Sequence, residues 1–136
     1  MIIEGYAALF GVPDQMQDVV RAGAFAASLT RRAEPLPMLV EHEQKLLAGH
    51  WTDAFEDARG LYVLGEVRDD MPGGARAKRN IARGVDGLSI GFIPLVAHGG
   101  AGRVLTEIEL LEVSIVTHPM QSQARLTLAR EFVRAA

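Results

Sequence analysis

The sequence predicts a mainly β fold with inserted helices, in which six to seven largely antiparallel strands form a closed or nearly closed barrel. Residues 87–92, Gly-Leu-Ser-Ile-Gly-Phe, alternate as a strand does, with Leu88, Ile90 and Phe92 on a core face and Ser89 on the other. After a Gly-rich turn at 98–102, residues 103–117 return as one long antiparallel strand or as two strands. Closing the sheet is the simplest way to avoid exposed edges, so a barrel is expected.

The other elements follow from short apolar runs bounded by turn residues. Further strands are predicted at residues 2–10, 18–20, 38–42, 46–53 and 60–68, the last two forming a hairpin. Helices are predicted at residues 26–32, ended by Pro35 and Pro37, at 75–83, ended by Gly84, and at 123–133. No repeat or long linker divides the chain, so residues 1–136 are expected to form a single domain.

Composition excludes several classes of function. A hydrophobic content of 49% supports one packed core, and a net charge of −3 gives no reason to expect nucleic acid as a partner. The absence of cysteine excludes disulfides, thiolate zinc sites and a Cys nucleophile. The start of the chain has no basic leader, and no apolar segment approaches the roughly 18–20 residues that span a bilayer. A soluble, intracellular protein without a membrane partner is therefore expected.

The histidines do not suggest a metal site. The chain has four, at positions 42, 50, 98 and 118, and no pair has the spacing of helical zinc ligands. We therefore expect no metal and no cofactor. His98 lies in a Gly-rich turn and His50 on a hairpin strand, so both are interpreted as surface or rim residues.

The chain can supply the groups that activate a hydroxyl nucleophile. Such chemistry needs a hydroxyl, an imidazole base and a third group that orients the imidazole. Ser89 is the candidate hydroxyl, on a face expected to be open to solvent, with room for a substrate chain because Gly87 and Gly91 have no side chains. His42 or His118 is the candidate base, and Glu112 or the other histidine the orienting group. The structural alternative is that Ser89 belongs to an ordinary strand edge or bulge.

The acid at 112 lies in an apolar strand. Alternation places the even positions of that strand on one face, namely Ile108, Leu110, Glu112, Ser114, Val116 and His118. Residues 87–91 also match the letters G-x-S-x-G, but that motif requires a strand, a turn and a helix, whereas here the strand pattern continues past Ser89. The match therefore does not indicate an α/β-hydrolase.

Five short motifs carry a family resemblance. In chain order they are Gly23-Ala24-Phe25, the histidine at 42, Gly60-Leu61-Tyr62-Val63, the segment at 87–92, and Leu111-Glu112-Val113-Ser114-Ile115-Val116 with Pro119 beyond. Together, across about residues 3–125, they resemble the tailed-phage prohead proteases, which are similar in fold to herpesvirus assemblin. The chain differs from the common pattern after Pro119, where Met120-Gln121 replaces the usual Ala-Asn.

The resemblance implies a serine endopeptidase that cuts scaffold and capsid-protein segments, and often itself, during maturation of a phage or phage-like procapsid, including a gene transfer particle. It therefore implies that the major capsid protein and scaffold segments are the partners, and that the protein works in the host cytoplasm inside the immature procapsid. By position, it implies that Ser89 is the nucleophile and His42 its base. The alternative function is a non-catalytic β-barrel that serves as a capsid scaffold or binding module.

Two residues compete for the third place in the triad. The Ser-His-His triad of assemblin favours His118, whereas the Glu in the phage motif falls on Glu112. An uninterrupted strand would separate the two by about 20 Å, so both cannot contact His42. We choose Glu112, because a buried carboxylate stabilises the imidazolium formed during acylation.

A homodimer is also expected. The resemblance suggests it, and residues 124–133 carry more apolar surface than a short tail on a small barrel can bury.

Overall fold

The chain forms one eight-stranded sheet with two short helices, in a computed structural model that describes residues 1–129. The strands are β1 (Ile2–Leu9), β2 (Val19–Val20), β3 (Leu36–Val40), β4 (Glu43–Glu56), β5 (Gly60–Val67), β6 (Gly87–His98), β7 (Val104–Val116) and β8 (Leu126–Leu128). The helices are α1 (Ala26–Arg31) and α2 (Gly74–Ala82). The predicted mainly β class with inserted helices is confirmed. No helix in the described part of the chain is long and apolar enough to cross a membrane.

The sheet is largely antiparallel. Its hydrogen-bonded order is β2-β7-β3-β4-β5-β1-β8, and β6 pairs along the other edge of β7. Among the described strands, only the pairings of β7 with β2 and with β3 are parallel. Between β6 and the segment before β8, a single isolated bridge joins Gly87 to Arg125. Because β8 is only three residues long, the sheet is not closed by continuous pairing, and the predicted barrel is not confirmed.

The predicted terminal helix at 123–133 is wrong over its described part. Residues Leu126–Leu128 form β8, which pairs with the free edge of β1. Gly5 permits this approach, since a Cβ there would lie 2.1 Å from the carbonyl oxygen of Arg125. Pairing with a distant strand has overridden the local composition. Residues 130–133 of the predicted helix lie outside the described residues.

Strand β3 begins and ends earlier than the predicted 38–42. It includes Pro37, which has no N–H to donate, but pairing with β7 begins only at Met38. The strand therefore loses no hydrogen bond to β7 at the proline. It ends at Val40, so His42 lies beyond the strand rather than at its end.

At Leu111, strand β7 switches which of its two faces is buried in the core. Leu110 and Glu112 pair with consecutive residues of β6, so Leu111 between them is left without a partner on that strand. This irregularity is a β-bulge. On both sides of the bulge the apolar residues are fully buried in the core: Ile108, Leu110, Val113 and Ile115. The alternation has shifted by one residue, so Glu112 and Ser114 lie on the other face. The expectation that they share a face with Ile108 and Leu110 is therefore wrong.

Candidate active site

His42 lies on a strained two-residue turn between β3 and β4. Val40 pairs with Glu43, and the two residues between them, Glu41 and His42, have φ values of 51° and 61°. Positive φ at both central positions is the pattern of a type I′ hairpin turn, where Asn and Gly are usual. For larger residues the left-handed region costs energy, and it persists only where surrounding contacts hold it. The direction of the His42 ring therefore depends on how this turn is held.

The structure brings His42 and Glu112 together. The ring atom Nδ1 of His42 lies 2.6 Å from Oε1 of Glu112. An ionised carboxylate can only accept, so Nδ1 carries the proton and Nε2 is left as the acceptor. This is the tautomer that a general base needs when it receives a proton from a hydroxyl through Nε2.

Ser114 joins the turn to the carboxylate. Its Oγ accepts the backbone N–H of His42 at 3.0 Å and donates its own proton to Oε2 of Glu112 at 2.7 Å. Ser114 is fully buried and Glu112 is 9% exposed, so both polar side chains are nearly removed from water. Both carboxylate oxygens of Glu112 are thus hydrogen-bonded, as burial of a charge requires. This role of Ser114 was not predicted, although its spacing of two residues from Glu112 on a strand places both side chains on one face.

The glycines beside Ser89 make room for other parts of the protein. A Cβ at Gly91 would lie 2.2 Å from Oε1 of Glu112, so only glycine leaves space for this carboxylate. A Cβ at Gly87 would lie 2.9 Å from Cδ of Pro119. The space beside these glycines is thus partly filled by Glu112 and Pro119 rather than left wholly for a substrate chain.

Ser89 lies directly across the β6–β7 pair from Ser114. Directly opposed residues of an antiparallel pair have Cβ atoms about 4.5–5.5 Å apart, so Ser89 is a close neighbour of the hydroxyl that contacts both His42 and Glu112. Ser89 is only 3% exposed, and its Oγ has no hydrogen-bond partner within the described residues. The expected solvent-open face is therefore wrong. The structure does not join Ser89 to His42 by a hydrogen bond, and a buried hydroxyl without a partner is unusual enough to need an explanation.

His118 stands apart from this cluster. It is exposed, two residues beyond the end of β7, and among the described residues it forms no hydrogen bond with His42 or Ser89. Of the two candidates for the third position, the structure places Glu112 against His42.

Two cavities border the cluster. The larger is an open, mostly apolar groove beside His42 and Glu112, and its other lining residues are Pro37, Leu39, Gln44, Leu47, Gly91 and Leu111. Ser89 borders a separate, narrower pocket with Ala7, Ala8, Asp14, Val20, Leu88, Ile90, Phe92, Met120 and Gln121. Sequence reasoning did not find the groove, since its walls come from β3, β4, β6 and β7. Within residues 1–129, no three His, Asp or Glu side chains converge as metal ligands would.

The carboxylates near His42 control its protonation. The hydrogen bond to Glu112 raises the pKa of His42 above its ordinary 6.5, and the charges of Glu112 and Glu41 act in the same direction, against the effect of partial burial. Because the folded pKa is raised, the stability gained from protonated His42 is complete below the unfolded pKa and is lost as pH rises through the folded pKa. A neutral imidazole, which can accept a proton, is therefore populated only above this raised pKa.

The first prediction concerns the pKa of His42. In the native protein, its ring should titrate above 6.5, and in Glu112→Gln the midpoint should fall, because the neutral amide no longer stabilises the imidazolium. Ring-proton chemical shifts followed by NMR across pH measure both midpoints. Equal midpoints in the two proteins would contradict the coupling.

The second prediction concerns Gly91. Gly91→Ala should displace the Glu112 carboxylate, because the new Cβ would lie 2.2 Å from Oε1. We expect a cost of about 1–3 kcal/mol in the free energy of unfolding and a lower pKa for His42. Gly100→Ala is the matched control, since a Cβ at Gly100 meets nothing within 4 Å. A Gly91→Ala protein with native stability and a native His42 titration would show that the carboxylate does not need this space.

Several known proteins are similar to this chain in sequence or in fold. A sequence model of the caudovirus prohead serine proteases matches residues 1–135. The chain is 33% identical over 135 residues to the prohead protease of Enterobacteria phage HK97, covering 90% of this chain. The chain spans 57% of the length of that curated relative.

Two solved structures share the fold. A Kaposi's sarcoma herpesvirus protease, in complex with a hexapeptide phosphonate inhibitor, matches with a TM-score of 0.67 and 14% identity, over 96% of this chain and 65% of that one. The bacteriophage T4 capsid assembly protease matches with a TM-score of 0.66 and 17% identity, over 87% of this chain and 82% of that one. The match to the sequence model over almost the entire chain, together with the phage HK97 relative, shows that the protein belongs to the caudovirus prohead serine protease family.

Proposed function

We propose that this chain is a serine endopeptidase in which Ser89 is the nucleophile, His42 the general base and Glu112 the group that orients His42. The observation that carries the proposal is the hydrogen-bonded set of His42, Glu112 and Ser114, directly across the β6–β7 pair from Ser89. Family membership supports the same chemistry. Residues 1–136 would then belong to a single prohead protease domain.

The proposed reaction is acyl transfer through Ser89. Its Oγ attacks the scissile carbonyl carbon while Nε2 of His42 takes the hydroxyl proton, and His42 then returns that proton to the leaving amine. In deacylation, water attacks the acyl carbon while Nε2 of His42 takes its proton, and the acyl–oxygen bond then breaks as His42 returns that proton to Oγ of Ser89. Because Oγ of Ser89 has no hydrogen-bond partner among residues 1–129, no bond within that part of the chain must break when it turns towards His42. Its burial means that substrate binding must open access to it.

Glu112 suits the third position better than His118. Its oxygen lies 2.6 Å from Nδ1 of His42, so it can hold the tautomer and stabilise the imidazolium that forms in the reaction. His118 is exposed and remains the alternative third member.

The proposed substrates are the major capsid protein and scaffold segments of the same phage or phage-like particle. The family description and the name of the phage HK97 relative support this class of substrate. Cleavage would then take place in the host cytoplasm, inside the immature procapsid. The apolar groove beside His42 is suited to an extended peptide that carries an apolar side chain near the scissile bond.

The alternative function is a non-catalytic capsid scaffold or binding module. One observation favours it: Ser89 is 3% exposed and has no hydrogen bond to His42. Active-site hydrogen bonds are often long before substrate binds, so this observation does not decide between the two functions.

The third prediction tests the proposed nucleophile. When the chain is produced together with its particle's capsid protein, wild type should trim the capsid protein, and Ser89→Ala and His42→Ala should each abolish trimming, because members of a triad act as a unit. Ser122→Ala, at an exposed serine, is the control and should cleave normally. The assignment fails if Ser89→Ala trims at the wild-type rate.

The same assay distinguishes the two candidates for the third position. Glu112→Gln should lower the rate strongly, while His118→Ala should stay near wild type. The reverse pattern would transfer the role to His118. Absence of trimming by wild type, with stable binding to the capsid protein, would support the scaffold function.

The fourth prediction concerns association. We propose a homodimer, on the resemblance to assemblin and because Leu128 is 61% exposed. Leu126 is buried in the chain's own core, so this segment exposes less apolar surface for a dimer than the sequence suggested. Light scattering should report twice the monomer mass. A monomer at the highest soluble concentration would contradict the proposal.

A further inference from the structure

A side chain beside His42 is hydrogen-bonded to the end of β7. Oε1 of Glu41 accepts the backbone N–H of Thr117 at 2.7 Å and its hydroxyl at 2.8 Å. Thr117 is the first residue after β7, whereas Glu41 is the first of the two turn residues between β3 and β4. One carboxylate oxygen therefore joins two residues that lie 76 positions apart in the chain.

This contact acts where the backbone is strained. Glu41 and His42 both have positive φ, a conformation that costs on the order of 1–3 kcal/mol per residue when the side chain is not glycine. Such a conformation persists only if its surroundings hold it. The parallel pairing of β3 with β7 ends at Val40 and Ile115, so the turn lies beyond the last paired residues.

Three groups continue the attachment past that point. The backbone N–H of Glu41 donates to the carbonyl of Ile115 at 3.1 Å, and the backbone N–H of His42 donates to Ser114. The third is the Glu41 side chain on Thr117, which is the outermost of the three. Without it, the turn would be held to β7 only on its inner side.

We propose that Glu41 and Thr117 are positioning residues, forming a clamp that holds the strained turn so that Nδ1 of His42 meets Glu112. This inference rests on the proposed protease function. Neither residue is placed in contact with substrate. The clamp sets the direction of the His42 ring, and a misplacement of about 1 Å in a catalytic group can cost about a hundredfold in rate.

Glu41 has a second influence on His42, which the test must separate. Its negative charge raises the pKa of His42 in addition to the effect of Glu112. Glu41→Gln removes the charge but keeps an oxygen that can accept from Thr117. Thr117→Val removes the hydroxyl bond but keeps the charge of Glu41 and the backbone N–H bond from residue 117. Thr117→Ser restores a hydroxyl at the same position.

The fifth prediction uses these variants with two measurements. The first is the rate at which diisopropyl fluorophosphate labels Ser89, followed by mass spectrometry, because it needs no natural substrate. The second is the downfield NMR signal of the Nδ1 proton of His42, which reports the bond to Glu112 whether or not the protein cleaves anything.

Thr117→Val should label about tenfold more slowly and lose or weaken the Nδ1 signal, while Thr117→Ser should restore both. Glu41→Gln should keep the signal and lower the pKa of His42. Glu41→Asn is the second disrupting variant: asparagine tolerates positive φ but is too short to bond Thr117 in the same way, so its labelling rate and Nδ1 signal should fall as in Thr117→Val even if the valine variant folds poorly. Because it also removes the charge, it should lower the pKa of His42 as Glu41→Gln does.

The outcomes separate the two proposals. If wild type shows the Nδ1 signal but Ser89 is never labelled and no capsid protein is cut, the protease function fails, while the NMR comparison still tests the clamp. If Thr117→Val and Glu41→Asn both keep the native Nδ1 signal and labelling rate, the clamp is overturned.

Discussion

Burial of the Glu112 carboxylate constrains most of the structure around it. A buried charge without partners costs several kcal/mol, so each of its oxygens needs a donor within the protein. Nδ1 of His42 supplies one and the hydroxyl of Ser114 the other. The carboxylate also needs space, which Gly91 provides on the neighbouring strand. The bulge at Leu111 turns Glu112 out of the apolar core and towards these partners.

The strained turn and the buried acid support each other. His42 lies on a two-residue turn with positive φ, its ring contacts Glu112, and the turn is hydrogen-bonded to Ser114 and Thr117. A histidine on a regular strand end would have more freedom and a less defined ring direction. Strain of this kind is common where a side chain must be held in one orientation for chemistry.

Local pattern predicted some of this arrangement and missed the rest for identifiable reasons. Alternation correctly located the strand of Ser89 and its apolar face, and the order of short motifs singled out His42 and Glu112. Alternation failed at Leu111, because a single inserted residue reverses the two faces without any change in composition. The turn at Glu41 also carried no signal, since its residues are not those that usually adopt positive φ.

Pairings between segments distant in sequence could not be predicted from local pattern either. The three residues of β8 form a strand because β1 offers a free edge and Gly5 lets the chain approach, neither of which is visible in residues 123–133 themselves. The parallel contact of β3 with β7 is likewise set by the whole fold, yet it determines where His42 lies.

Because His42 is held by residues of β7, the cluster can form only after β7 has been synthesised. His42 and Glu112 are 70 residues apart, and β7 supplies Glu112, Ser114 and the strand that Ser89 faces. A growing chain that has not yet emerged past β7 holds Ser89 and His42 but lacks the strand that contacts both of them. Contacts this distant in sequence form late, because loop closure must precede them. The contacts of His42 with Glu112 and Ser114 can therefore form only after the chain has left the ribosome as far as Val116.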